Sequence, residues 1–346
     1  MKEARFWERA DGGRVRCHLC PHRCFLRPGQ RGICRVRKNV DGVLYSLNYA
    51  QVSSYALDPT EKKPLYHFFP GSYLFSLGSV GCNLSCGFCQ NWTISQEESP
   101  TVEVLPGRAV ELTLSARRQE PRVIGLAYTY NEPSIWYEYV AETAELAKRE
   151  GLLNCLVTNG FIEEAPLRGL LPLVDAMNVD VKAFRPEFYR KVCKGGRDPV
   201  LRTVEAAHRA GCHVEVTNLL IPGYNDSDAE IGQLVDWLAG LSPDIPLHFS
   251  RYFPNYRFAE PPTPFPTLDR AAGIARRKLS YVYMGNVWGR GNDTACPQCG
   301  HMVLERRGLE LTRASLRDQH CPRCGYRLAL RGEVFVPAAP RPPSER

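Results

Sequence analysis

No apolar run in this chain approaches the roughly 18 residues that a membrane-spanning helix needs. The stretch Met1-Lys2-Glu3-Ala4-Arg5-Phe6-Trp7-Glu8 has neither an apolar core nor a small-residue cleavage site, so it does not read as a secretory leader. The expectation is a cytoplasmic protein that does not engage membranes. A strong charge of one sign is missing too. The formal net charge is +7 with cysteines counted as neutral. Two zinc sites of four thiolates would contribute about −2 each and a three-thiolate iron–sulfur cluster about −1, which leaves about +2. No basic stripe interleaved with aromatics is present, so nucleic acid is not an expected partner.

Cysteine is what the chain has in plenty, with 14 in 346 residues. Four lie between positions 17 and 34, three between 82 and 89, and four between 296 and 324, while Cys155, Cys193 and Cys212 stand alone. Disulfides are rare in a reducing compartment, so groups of four, three and four point to metal. Cys193 and Cys212 read as structural.

The densest group is Gly81-Cys82-Asn83-Leu84-Ser85-Cys86-Gly87-Phe88-Cys89-Gln90-Asn91-Trp92, just after the apolar run Tyr73-Leu74-Phe75-Ser76-Leu77. A structural zinc site wants a closed tetrahedron, and no fourth ligand is offered nearby. A [4Fe–4S] cluster on three thiolates keeps one iron open to a ligand from outside the protein. Cys82, Cys86 and Cys89 are therefore expected to hold an open-site [4Fe–4S] cluster.

This stretch resembles the radical S-adenosylmethionine (radical SAM) signature C-x3-C-x-(aromatic)-C, with Phe88 at the aromatic position. Together with Asp58-Pro59-Thr60-Glu61-Lys62-Lys63-Pro64-Leu65-Tyr66-His67-Phe68, it resembles the AmmeMemoRadiSam-type proteins, which are similar to the pyruvate formate-lyase activating enzymes. The resemblance runs from about Cys17 to Cys324. It implies that S-adenosyl-L-methionine chelates the open iron and that one electron cleaves it to a 5′-deoxyadenosyl radical. That radical abstracts hydrogen from a substrate. It also implies an electron donor of flavodoxin or ferredoxin type and an activase-like reaction, with glycyl-radical installation on a partner protein as one form. MEMO- and AMMECR-type proteins are further implied partners.

From residue 73 to about 286, β and α patterns alternate without a break, as in a parallel sheet with crossover helices. Apolar runs fall at 73–77, 123–128, 153–157, 174–181, 212–219 and 246–252. A doubly wound open sheet and a barrel would give the same alternation. The resemblance implies the partial (β/α)6 barrel of radical SAM proteins. Polar groups follow each run: the cysteines, Thr129-Tyr130-Asn131-Glu132-Pro133, Thr158-Asn159-Gly160, Asp180-Val181-Lys182, Thr217-Asn218 and His248. Barrel enzymes place their chemistry at such strand ends. Strand alternation sets Asp180 and Lys182 on one face, where they would meet a ligand or form an ion pair with each other.

By resemblance, Glu132 stands at the glutamate of the Gly-Gly-Glu motif that holds the cofactor's amino group, with Tyr130-Asn131 in place of the glycines. Thr158, Asn159 and Gly160 match the activating enzymes' pattern, with Val157 where those have aspartate. Asp180 and Lys182 match their Asp-x-Lys pair, and His248 their late-strand histidine near the adenosyl group. A core histidine is the alternative at His248.

Residues 1–70 are expected to form a lead-in with a four-cysteine knuckle of Cys17, Cys20, Cys24 and Cys34. Zinc is the first expectation there and an auxiliary iron–sulfur cluster the alternative. The barrel spans 71–290. Over 291–336, Cys296-Pro297-Gln298-Cys299-Gly300 and Cys321-Pro322-Arg323-Cys324-Gly325 read as a zinc ribbon with too few apolar residues for a core of its own. The tail 337–346, rich in proline and arginine, reads as disordered. Two other functions stay open: an RNA-modifying radical SAM enzyme using the ribbon as an RNA handle, and a non-catalytic iron–sulfur and zinc interaction module.

Overall fold

The computed structural model of the chain describes residues 1–289 and 291–336, so the expected disordered tail lies outside the described residues. The six apolar runs become strands within two residues of the expected bounds. They are joined by one that the sequence reading missed and by an antiparallel edge strand. In chain order the eight are β1 (Ser54–Pro59), β2 (Tyr73–Gly78), β3 (Val123–Tyr128), β4 (Leu153–Thr158), β5 (Ala176–Asp180), β6 (His213–Leu220), β7 (Leu247–Arg251) and β8 (Val282–Gly285). They lie in that order in one sheet, with β2 to β8 parallel and β1 antiparallel to β2. The expected six-strand count is corrected to seven parallel strands. The seventh, Val-Tyr-Met-Gly, is too short to announce itself.

The crossovers include helices Tyr137–Arg149, Arg197–Arg209 and Asp228–Leu241. The first buries Tyr139, Val140, Ala144 and Ala147 at helical spacing, and a 3-10 turn from Pro133 leads into it. The third begins at Ser227, whose hydroxyl accepts from the Glu230 amide. Because all seven strands run the same way, all seven C-terminal ends open on one side, and the polar residues of the sequence gather there.

Two appendages pack on this frame. Residues 1–52 form small antiparallel ribbons, Trp7–Ala10 with Arg14–Cys17 and Arg37–Val40 with Val43–Ser46, around the N-terminal thiols. The C-terminal ribbon pairs Met302–Arg307 with Glu310–Ala314. Against expectation it has a core of its own: Val303, Leu304, Leu311 and Leu328 are buried with Cys296 and Cys321. It also docks on the barrel. The Phe69 amide donates to the Arg331 carbonyl at 2.7 Å, and the Arg331 amide to that of His67 at 2.8 Å.

His67 joins three parts of the chain. Its Nδ1 lies 2.9 Å from the Ala329 carbonyl in the ribbon, and its Nε2 lies 2.6 Å from the Tyr283 hydroxyl on β8. A neutral imidazole satisfies both, donating from Nδ1 and accepting at Nε2. Burial pushes its pKa down to about 4. A depressed histidine contributes stability that is complete above the unfolded value of about 6.5 and is lost as pH falls toward the folded value. Wild type is therefore expected to lose about 2 kcal/mol more than His67→Phe between pH 7 and pH 5, read by urea unfolding at each pH. Parallel losses in the two proteins would show that the folded imidazole is not held neutral.

Candidate active site

Cys82, Cys86 and Cys89 lie on the loop that leaves β2. The loop needs Gly81 at φ +85°, where a Cβ would meet the Cys34 carbonyl oxygen at 2.5 Å. The Gly81 amide donates to the Ile94 carbonyl, and the Ser85 amide to that of Cys193, at 2.8 and 2.9 Å. Asn131 clamps the loop start, accepting from the Ser79 amide at 3.0 Å and donating to the Gly81 carbonyl at 3.0 Å. Two donors reach the Cys82 sulfur, the Leu84 amide at 3.4 Å and the Asn159 side-chain amide at 3.6 Å. Donors aimed at sulfur favour a thiolate. Burial and then the charge of Glu132 push the Cys82 thiol well up. A bound cation would therefore have to displace protons from these sulfurs.

The three cysteines line a cleft of about 560 Å³ at the strand ends. The same cleft is lined by Phe88, Glu132, Thr158, Asn159, Asp180 and Lys182, six of the eight residues expected to contact the cofactor. Lys182 Nζ donates to Asp180 Oδ2 at 2.9 Å. Burial alone would push this ammonium down, but Asp180 and Cys86 hold it well above its ordinary value, so it stays charged. Phe88 is buried, and its ring packs against Phe188 and Phe258.

Glu132 is 1% exposed, and both its oxygens accept hydrogen bonds within the protein. It accepts from Thr158 Oγ1 and the Asn159 amide, both at 2.7 Å, and from the Ser134 amide at 2.9 Å. Its work in this geometry is to fix the turn after β4. Gly160, at φ +68°, completes that turn and packs on Val179 and Val200. It does not line the cleft. His248 faces a neighbouring cavity of about 600 Å³. Its Nε2 lies 2.6 Å from Glu215, a fully buried carboxylate that also takes the His67 amide and His213 Nε2. Burial would raise Glu215, but the hydrogen bonds from His213 and His248 hold it well below the carboxylate range. The geometry around His248 thus has the features of a satisfied core histidine at the wall of the second cavity.

Two groups of residues that the sequence displays were not among the expected cofactor contacts. Tyr130, at φ +71°, lines the cleft with Lys62 and Lys63. Its hydroxyl donates to Asp58 Oδ2 at 2.6 Å, as does Lys63 Nζ at 2.7 Å. The Asp58-to-Phe68 segment is thereby a wall of the site. The other is Cys193, which lies beside Cys86 and whose carbonyl accepts from the Ser85 amide at 2.9 Å. It is fully buried behind the cleft. Cys193→Ser is expected to keep its iron after anaerobic reconstitution. A drop of about one iron per chain would make Cys193 a ligand and close the open site.

A family profile described as Radical SAM superfamily matches residues 77–238. A Methanocaldococcus jannaschii protein, the uncharacterized MJ0808, is 43% identical over 339 residues, which cover 95% of this chain and 99% of that one. The chain belongs to the radical SAM superfamily, and it is a radical SAM enzyme. Membership implies a [4Fe–4S] cluster and S-adenosylmethionine as its cofactors. Pyruvate formate-lyase 1-activating enzyme of Escherichia coli K12 is 24% identical over 153 residues, 43% of this chain and 61% of that enzyme. The crystal structure of Streptococcus suis SuiB bound to S-adenosylmethionine covers 62% of this chain and 52% of its own, at 14% identity and a TM-score of 0.49. The second metal signal of the sequence is also formed: the ligand atoms of Cys296, Cys299, Cys321 and Cys324 all lie within 4.8 Å of one another.

Proposed function

We propose that Cys82, Cys86 and Cys89 hold the [4Fe–4S] cluster with one iron open, and that the cleft beside them holds S-adenosylmethionine. The observation that carries this is the meeting of three thiols and the Asp180–Lys182 pair in one cleft. When bound, the cluster and cofactor supply one-electron cleavage to a 5′-deoxyadenosyl radical. The chain's own residues bind and orient. Lys182 offers a charged donor to a carboxylate, Asp180 an acceptor to an amine or a ribose hydroxyl, and Asn159 a donor to the sulfur of Cys82. Glu132 positions the turn that carries Asn159. The second cavity shares Gln90, Thr217, Ser250 and Asn286 with the first and continues to Tyr66, Phe253 and the exposed Trp288. This is the room for a substrate.

The reaction is hydrogen abstraction of the activase kind, supported by the similarity to the pyruvate formate-lyase activating enzyme. An unidentified partner protein is the substrate this reading favours, in the cytoplasm, with a flavodoxin- or ferredoxin-like donor and MEMO- or AMMECR-type proteins as further partners. The C-terminal thiols hold zinc. Sulfur contacts of 3.6 Å, Cys296 with Cys324 and Cys299 with Cys321, suit a tetrahedral ion whose Zn–S bonds of about 2.3 Å set sulfurs about 3.8 Å apart.

Anaerobically reconstituted protein is expected to bind S-adenosylmethionine and, with a strong reductant, to release 5′-deoxyadenosine. Lys182→Ala and Asp180→Asn should each lose one or two charge-assisted hydrogen bonds, about ten- to a hundredfold in affinity, with iron content intact. Wild-type affinity in both would make the pair a structural ion pair alone.

A further inference from the structure

Two polar side chains in the wall of the second cavity have no answer within the protein. The first is Arg251, the last residue of β7, which lines this cavity and not the cleft. Its guanidinium lies over two rings, 4.8 Å from the centroid of Phe253 and 4.4 Å from that of Phe265. Its Nε donates to the Thr263 carbonyl at 2.9 Å, and its own carbonyl accepts from the Asn286 side-chain amide at 3.0 Å. Among the described residues no carboxylate pairs with it. The other charged groups of this wall are engaged: Glu61 with Arg306, Lys62 with Asp58, and His248 with Glu215. A guanidinium stacked on aromatic faces and pinned at Nε keeps its Nη edge free, as a ready fork for a planar anion.

The second is Asn292, which is 8% exposed and whose buried Oδ1 meets no donor among the described residues. Its Nδ2 lies 3.5 Å from the Gly308 carbonyl, and its own carbonyl accepts from Arg306 Nη1 at 2.9 Å. The residue is thus held in place with its acceptor unused. A buried acceptor left without a donor is costly, so its place in a cavity wall points to a donor that the occupant brings.

The rest of the wall is largely apolar. Pro64, Phe253, Phe265 and Leu309 line it, and Trp288 stands at its edge 91% exposed. Such a site takes an apolar group together with a carboxylate and an N–H donor, and a short piece of peptide carries all of these. A carboxylate suits Arg251 better than a phosphate does. Its single charge matches the single cation left open, and its two oxygens match the fork. About 600 Å³ is room for a short segment, not for a folded domain.

We propose that the second cavity recognises a carboxylate borne on a peptide segment of the substrate. Arg251 holds the carboxylate, Asn292 Oδ1 accepts from a neighbouring peptide N–H, and the aromatic rim covers an apolar side chain. The inference rests on the reading of this cavity as the room for a protein substrate. A chain end and an acidic side chain offer the same chemistry to Arg251. Anchored there, the segment continues past Thr217 and Ser250, which line both cavities, to the cleft where hydrogen is abstracted.

The test uses the full chain, reconstituted anaerobically, with excess S-adenosylmethionine present to keep peptides off Lys182. Calorimetry compares three capped dipeptides. N-acetyl-phenylalanyl-glycine has a terminal carboxylate, N-acetyl-phenylalanyl-aspartic acid amide a side-chain carboxylate, and N-acetyl-phenylalanyl-asparagine amide has none. At least one carboxylate peptide should bind about tenfold or more tighter than the neutral one, and the tighter of the two tells a chain end from an acidic side chain. Arg251→Met, which keeps an apolar stem over the rings, should erase that difference. Methylating the peptide nitrogen of the carboxylate-bearing residue should weaken binding about fivefold, and no change would remove Asn292 from the site. Equal binding of all three peptides by wild type, or binding of none, overturns the carboxylate site without any variant having to fold. A preference that survives in Arg251→Met overturns the assignment to Arg251. Deoxyadenosine release by wild type without peptide is measured on the same preparation. If it proceeds while the peptides fail, only the carboxylate site falls; if no deoxyadenosine forms, the reading of the cleft falls.

Discussion

The variant with Cys82, Cys86 and Cys89 all changed to alanine yields no 5′-deoxyadenosine under any reductant. Cofactor cleavage requires an iron that the cofactor can reach, and among the described residues this is the cysteine group that lines the cleft with Asp180 and Lys182. Iron content is the weaker readout, because an iron–sulfur cluster is the alternative expectation at Cys17, Cys20, Cys24 and Cys34. The cleavage product is decisive. Its persistence in the triple variant would move the chemistry to another cysteine group and end the reading of this cleft as the active site. The fold should survive the change, since Cys82 and Cys89 are half-buried and their loop is held by backbone bonds to Cys193 and Ile94.

Replacing Arg306 by methionine is expected to cost about 3–5 kcal/mol of stability. Arg306 and Glu61 are both 0% exposed in their side chains and lie 3.3 Å apart. The guanidinium also donates to the carbonyls of Asn292 and Tyr66 and to Thr294 Oγ1, each at 2.9 Å. Removing it strands a carboxylate that burial already pushes up toward protonation. Denaturant unfolding should show the loss, and the ribbon's metal should be released at lower denaturant than in wild type. The double variant Arg306→Met/Glu61→Leu should recover much of the stability, because no charge is then left unpaired. A double variant no better than the single one would mean that the cost came from lost packing and backbone bonds.

The parts of the site that were legible in the sequence are those written locally. Cysteine spacing marked the thiols that meet in the cleft and those that meet in the ribbon. A polar residue after each apolar run marked the strand ends, because parallel strands bring successive ends to one side. What stayed illegible depends on partners far apart in the chain. Nothing around Cys193 says that it packs beside the cysteine loop, where its carbonyl accepts from the Ser85 amide. The Asp58-to-Phe68 segment was recognisable as a signature, but its place as a wall of the cleft rests on Tyr130, 72 residues beyond Asp58. His248 and Glu132 carry the right residue types, and only the packed structure shows that Glu215 holds the one and the turn after β4 the other. The ribbon's core went unseen for the same reason, since Leu304 and Leu311 become neighbours only through the pairing of its two strands.

The Glu61–Arg306 pair spans 245 residues of chain. During synthesis, Glu61 leaves the ribosome long before its counter-charge exists, and N-terminal elements fold as they emerge. The Glu61 carboxylate must therefore stay hydrated until the ribbon has been made and closes over it. A chain truncated anywhere before Arg306 would keep its cysteine loop yet lack a finished wall beside it. The ribbon thus acts as a completeness check, and the cleft takes its final form only in a chain long enough to have the ribbon's arginine.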